Sequence, residues 1–186
     1  MLTIDALLHK LKEPRSTRWV EDLAVALLRE GFEVSDLLNL TNYHEKQAAF
    51  RAAWLLDTLV TNNVPQYIQH IDLFVTYMRL TKHHSCHRHY VRIFMYLSSV
   101  TADEKVKQEI AKTDMEPVVE QCFEWLINPK VKVAVKTCAA QTLFNLRHRY
   151  NWITEELQNQ LIYLMKNGGP AIQATGRRLL NLLTID

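Results

Sequence analysis

Four stretches of this chain end alike, and their spacing constrains the fold more than any other feature. Aligned on Leu59, Leu97, Leu146 and Leu182, they carry Leu56, Phe94, Leu143 and Leu179 three residues earlier. Six residues earlier stand Ala53, Val91, Ala140 and Gly176, mostly small. Apolar residues at such steps predict one buried face on each of four helices, with the small residues where two helices approach closely. The separations are 38, 49 and 36 residues, the period of helix pairs stacked into a solenoid. One such pair cannot bury its own apolar face, so it needs neighbours on both sides.

The stretch from Asp114 to Tyr150 shows the unit most fully. Val118, Val119, Cys122, Phe123 and Leu126 give one apolar helix face, and Asn128-Pro129 stops it, because proline pushes the preceding residue out of the α region. A second helix follows, apolar at Val133, Ala140, Leu143, Phe144 and Leu146. Elsewhere, a first helix from Leu2 to Lys12 is expected to end at Glu13-Pro14-Arg15, with Ser16 or Thr17 capping the next. Gly31 is expected as a left-handed helix cap. Capping boxes are expected at Asn42 with Glu45, Asn63 with Gln66, Thr101 with Glu104, and Thr113 with Glu116. The turn Asn167-Gly168-Gly169-Pro170 precedes the last helix. With only four glycines and five prolines, and no period-two alternation, the expectation is eleven helices and no strand. The chain reads as one all-α domain over 1–186, with 1–32 as an N-terminal cap and 33–184 as repeats.

These features resemble the HEAT-repeat family of armadillo-type superhelices. The proline near the start of one helix, the Asn128-Pro129 interruption and Lys136 with Ala139-Ala140 and Leu143 carry the resemblance. It implies a right-handed αα-superhelix, here of about four hairpins. The segment CFEWLINPKVKVAVKTCAAQTLFNL followed by YNWI also resembles a group of small bacterial HEAT-like proteins, some labelled adenylosuccinate lyase. That enzyme superfamily carries a serine-rich mobile loop with a GSSxMPxKxNP-like signature. Nothing in this sequence resembles it, and the activity is rejected.

Composition excludes little beyond this. Three cysteines, Cys86, Cys122 and Cys138, form no C-x-x-C pair, and an odd number leaves one unpaired. A reduced, cytoplasmic setting is expected. The opening residues MLTIDALLHKLKEP carry Asp5 and lack a basic leader, so no secretory signal is expected. No apolar run approaches the ~20 residues a membrane-spanning helix needs.

Two local features invite chemistry. The run His83-His84-Ser85-Cys86-His87-Arg88-His89 puts His83 and His87 one helical turn apart, a spacing that can chelate zinc or nickel. The other reading is a polar turn between helices; no third ligand is evident, so no metal and no cofactor is expected. Trp54, Asp57 and Arg92 match in residue type the Trp, Asp and Arg of HEAT-like DNA alkyl-glycosylases, whose architecture resembles this one. The match is of types without a motif, and Trp54 reads equally as a packing residue.

Charge gives the broader signal. Segments 44–61, 83–100, 130–149 and 170–184, read as inner helices, carry 0, +2, +5 and +2, or +9 together. The outer segments 33–40, 64–81, 114–127 and 152–167 carry −2, 0, −4 and −1, or −7 together. Inner helices line the concave side of a solenoid. Arg51, Trp54, Arg88, Arg92, Tyr96, Lys136, Gln141, Asn145, Arg177 and Arg178 avoid the apolar seam and are the expected partner-binding residues. Arginine with aromatics favours an interaction surface; the bland reading is a solvated face with cations gathered at helix C-termini. The function expected is a non-enzymatic scaffold, monomeric or weakly dimeric, that binds an acidic protein or peptide. The alternative is a nucleic-acid binder on a glycosylase-like scaffold.

Overall fold

The computed structural model describes residues 2–13 and 18–184, and every regular element among them is helical. The helices are α1 (Ile4–Lys12), α2 (Trp19–Glu30), α3 (Val34–Leu40), α4 (Lys46–Asn62), α5 (Val64–Tyr67), α6 (Ile71–Leu80), α7 (His87–Leu97), α8 (Glu104–Lys112), α9 (Glu116–Ile127), α10 (Val133–Leu146), α11 (Ile153–Asn167) and α12 (Pro170–Leu183). A 3-10 turn over Ile68–His70 separates α5 from α6. The residues expected to break α1 and cap α2, from Pro14 to Thr17, lie outside the described residues.

Two layers emerge from the packing. In the inner row α4 packs on α7, α7 on α10, and α10 on α12; in the outer row α3 meets α6 and α6 meets α9. Consecutive helices α3/α4, α6/α7, α9/α10 and α11/α12 are the four hairpins, and α1 and α2 pack on α4 at the near end. The inserted α8, which lengthens the second spacing, lies against α5 and α7. This is an αα-solenoid, and one apolar cluster runs through it from Leu7 to Leu183.

The repeat alignment holds at its centre and slips at its edges. Leu56, Phe94, Leu143 and Leu179 are all buried, as are Ala53, Val91, Ala140 and Gly176. Leu182, however, is 40% exposed, and Leu183 is buried in its place. The seam of α12 runs Ile172, Gly176, Leu179, Leu183, stepping four, three and four, so it has rotated one residue beyond the repeat offset. Val133 is likewise exposed and Val135 buried.

None of the four capping boxes is used. Three of the helices concerned begin later than the boxes place them, at Lys46, Glu104 and Glu116, so Asn42, Thr101 and Thr113 fall outside the first turn. Asn63 does precede α5, but its side-chain amide bonds back to the Leu59 carbonyl. Asp103 caps α8, accepting from Lys105 N–H at 2.9 Å, and Asp114 accepts from Glu116 N–H at 3.0 Å. Gly31 has φ 75° but ψ 143°, so it is a positive-φ residue leaving the helix extended, not a left-handed helical cap. The stop at Asn128 is as expected, extended at ψ 116°.

Candidate functional site

The inner row presents one helix side away from the outer layer. Residues three or four apart share a helix side, and the wall is built that way: Phe50 and Trp54 on α4; Arg88, Arg92 and Tyr96 on α7; Gln141 and Asn145 on α10; Arg178 and Leu182 on α12. All of these line one of two depressions in the wall, of about 770 Å³ and about 370 Å³.

A hydrogen-bond chain crosses this wall. Arg178 donates to Gln141 Oε1 at 2.6 Å, and Gln141 Nε2 donates to Asn145 Oδ1 at 2.8 Å. Asn145 Nδ2 then donates to the Met95 carbonyl at 3.1 Å and to Ser98 Oγ at 3.2 Å. Three inner helices are thus held in register by side chains expected to contact a partner. Beside the chain lies the larger depression, with Met95, Tyr96, Val100, Phe144 and Leu182 on its surface. Tyr96 is 48% exposed and Val100 68%, so apolar surface is left open where the inner helices end.

Three of the expected wall residues lie elsewhere. Lys136 is buried, and its ammonium donates to the Leu126 carbonyl at 2.8 Å, at the end of α9. Burial pulls its pKa down. Arg51 points to the end of α1, donating to the Leu11 carbonyl at 2.7 Å, with its guanidinium 5.9 Å from the Trp19 ring. Arg177 sits about 100° round the helix from Arg178 and bonds Gln173 Oε1 at 3.4 Å, while Gln173 Nε2 reaches the carbonyls of Met165 and Gly168. It lines neither depression.

The same logic explains much of the inner layer's charge. The last carbonyls of a helix have no intrahelical donor and carry partial negative charge. Lys136 serves α9, Arg51 serves α1, and Arg149 reaches the Ile110 and Thr113 carbonyls at the end of α8. Arg147 donates to the Phe144 carbonyl at 2.8 Å and lies over the Phe144 ring. Lys136, Arg51 and Arg149 tie helix ends to neighbouring helices, Arg147 covers the end of its own, and none of the four lines either depression.

Trp54, Asp57 and Arg92 do come together. Asp57 is buried; its Oδ2 accepts from His89 Nδ1 at 2.9 Å and pairs with Arg92 at 3.3 Å. Its Oδ1 has no hydrogen-bond partner among the described residues. Trp54 packs edge-on against Trp19 at 5.4 Å and is stacked 6.3 Å from His89. The carboxylate therefore sits behind the wall, fixing Arg92 and His89, with 2% of its side chain exposed.

Of the other histidines, His84 and His87 meet edge-on at 5.1 Å and His83 turns away. His83 Nε2 bonds the Tyr43 carbonyl at 2.7 Å, whereas His87 stacks on Trp125 at 4.8 Å, where burial lowers its pKa. His84 stays exposed. The smaller depression adds residues that sequence reasoning passed over: Phe50 and Lys132. Their signal was position alone: Phe50 stands one helical turn before Trp54, and Lys132 directly before α10.

A family model described as HEAT repeat domain matches residues 7–183. No curated protein and no solved structure matches the chain. No helix among the described residues is long and apolar enough to cross a membrane.

Proposed function

The chain belongs to the HEAT repeat domain family, and on that footing we propose that it is a non-catalytic scaffold whose inner wall binds a protein through an extended peptide segment. HEAT repeat domains are commonly protein-interaction scaffolds. The observation that carries the reading is the open apolar surface where the inner helices end, at Tyr96, Val100 and Leu182. A groove that tracks a phosphate backbone is continuously positive. This one is basic in its smaller depression, while the larger, where the inner helices end, is largely apolar with Arg178 and Asp103 in its lining, an arrangement that suits a side-chain anchor beside a charged site. The cations that remain on it, Arg88, Arg92, Lys132 and Arg178, suit a partner of acidic character.

The test is a random-peptide display selection on the immobilised protein, read against a variant carrying Tyr96→Asp and Leu182→Asp. Both side chains are substantially exposed, so the variant keeps the fold. Peptides enriched on the native protein are expected to lose binding to it. Enriched peptides indifferent to both substitutions would contradict the reading. Tight duplex-DNA binding that falls steeply with salt would replace it with a nucleic-acid function.

A further inference from the structure

The two depressions lie along one helix. Arg88, Arg92 and Tyr96 mark successive turns of α7; the arginines line the smaller depression and the tyrosine the larger. The smaller one is walled by Phe50 and Trp54 and faced by Lys132 from just before α10. No carboxylate lines it among the described residues. The nearest acid in contact with its lining is Asp57, which lies behind and takes both His89 and Arg92. It offsets one cation, and no ion pair among the described residues engages Arg88 or Lys132.

A concave site with cations of one sign and apolar walls focuses field and raises local anion concentration. Guanidinium groups match the oxygens of carboxylate and phosphate. Aromatic walls that displace water strengthen such bonds. The Asp57–Arg92 pair also restrains the arginine before any ligand arrives, which reduces the entropy lost on binding.

Helical rise of ~1.5 Å per residue puts Arg92 about 6 Å and Arg88 about 12 Å from the level of Tyr96. An extended chain advances ~3.3 Å per residue. We infer that the smaller depression takes a carboxylate or phosphate of the same extended peptide whose apolar side chain fills the larger one, the two separated by roughly two to four residues. This rests on the scaffold reading and adds to it the partner's pattern: an anion at a fixed short distance from an apolar anchor.

Fluorescence anisotropy on a position-scanning peptide set tests it. Each peptide holds one Leu or Phe anchor, with a Glu, a phosphoserine or a Ser walked away from it along a neutral backbone. The anionic residue is expected to tighten binding on the order of tenfold over Ser, the scale of charge-assisted hydrogen bonds, and only at the short separations. Whichever of Glu and phosphoserine gains more identifies the source of the anion. The gain should vanish in protein carrying Arg88→Glu with Lys132→Glu, and in the milder pair Arg88→Gln with Lys132→Gln, where Glu and phosphoserine peptides should bind no better than Ser peptides.

Equal binding of Glu, phosphoserine and Ser overturns the inference, as does a gain uniform at every separation or one that survives both variants. If anchored peptides bind, lose affinity with Leu182→Asp, and ignore the anion, this inference falls and the scaffold reading stands. If no peptide binds, both fall.

Discussion

A lysine among apolar neighbours ordinarily announces itself as a solvent-facing charge, and Lys136 shows why that expectation misleads. Its residue type and its place off the seam are visible in the sequence; the carbonyl it will meet, ten positions away at Leu126, is not. Arg51 and Arg149 repeat the case across longer separations. Lys136→Ala should remove the donor from a buried carbonyl and cost about 1–3 kcal/mol in urea unfolding, while leaving peptide affinity unchanged. A binding loss without a stability loss would return Lys136 to the wall. A second residue-scale expectation concerns pH. Burial raises the Cys86 thiol from its ordinary 9.0 to about 11, and Tyr90 and Cys122 are raised by the same cause. Folding favours the neutral forms, so the contribution of Cys86 is fully present below about pH 9 and is lost as pH rises through about 11, while those of Cys122 and Tyr90 begin to be lost above 9.0 and 10.0. Each such proton steepens the fall by ~1.4 kcal/mol per pH unit. Urea unfolding from neutral pH into that window should show the decline, and Cys86→Ala should make it shallower. An identical slope in both proteins would contradict the assignment.

At the scale of the element, the helix faces were legible along the middle of helices with neighbours on both sides, though not at the first turn of α10, where Val135 and not Val133 is buried. Leu56, Phe94 and Leu143 lie mid-row, where packing from two directions fixes which face turns inward. Leu182 lies on the last inner helix, where α12 packs chiefly on α10 and α11 among the described residues, and there the seam rotated. Caps were the least legible feature, because they depend on the residue at which a helix starts and tertiary contacts set that residue. Leu143, fully buried at the centre of the row, should lose about 2–5 kcal/mol on Leu143→Ala; an unchanged thermal melt would refute the packing. The turn between α11 and α12 gives a second check. A Cβ on Gly168 would stand 2.5 Å from Ile172 Cγ2 and 2.6 Å from the Leu164 carbonyl. Backbone cannot yield as a side chain can, so Gly168→Ala should cost about 1–3 kcal/mol. Gly169, with nothing near its Cβ position, serves as the control: Gly169→Ala should change stability far less.

For the whole molecule, the alternation of charge between layers turned out to serve two purposes. Part of the inner row's positive charge ties the carbonyl ends of α1, α8 and α9 to their neighbours. Another part, on Arg88, Arg92, Lys132 and Arg178, stays on the open wall beside its apolar surface. The layers were legible from spacing and charge together; the division between staple and surface needed coordinates, since it turns on about 100° of helix rotation. The claim that the wall is the working surface is tested most directly by methyl chemical-shift mapping as a peptide from the selection is titrated in. The wall offers Met95, Val100 and Leu182; the outer layer offers Leu73, Ile127 and Ile162 as exposed controls. The account predicts that the three wall methyl groups shift saturably and the three controls stay still. Shifts confined to Leu73, Ile127 and Ile162, with the wall silent, would contradict it.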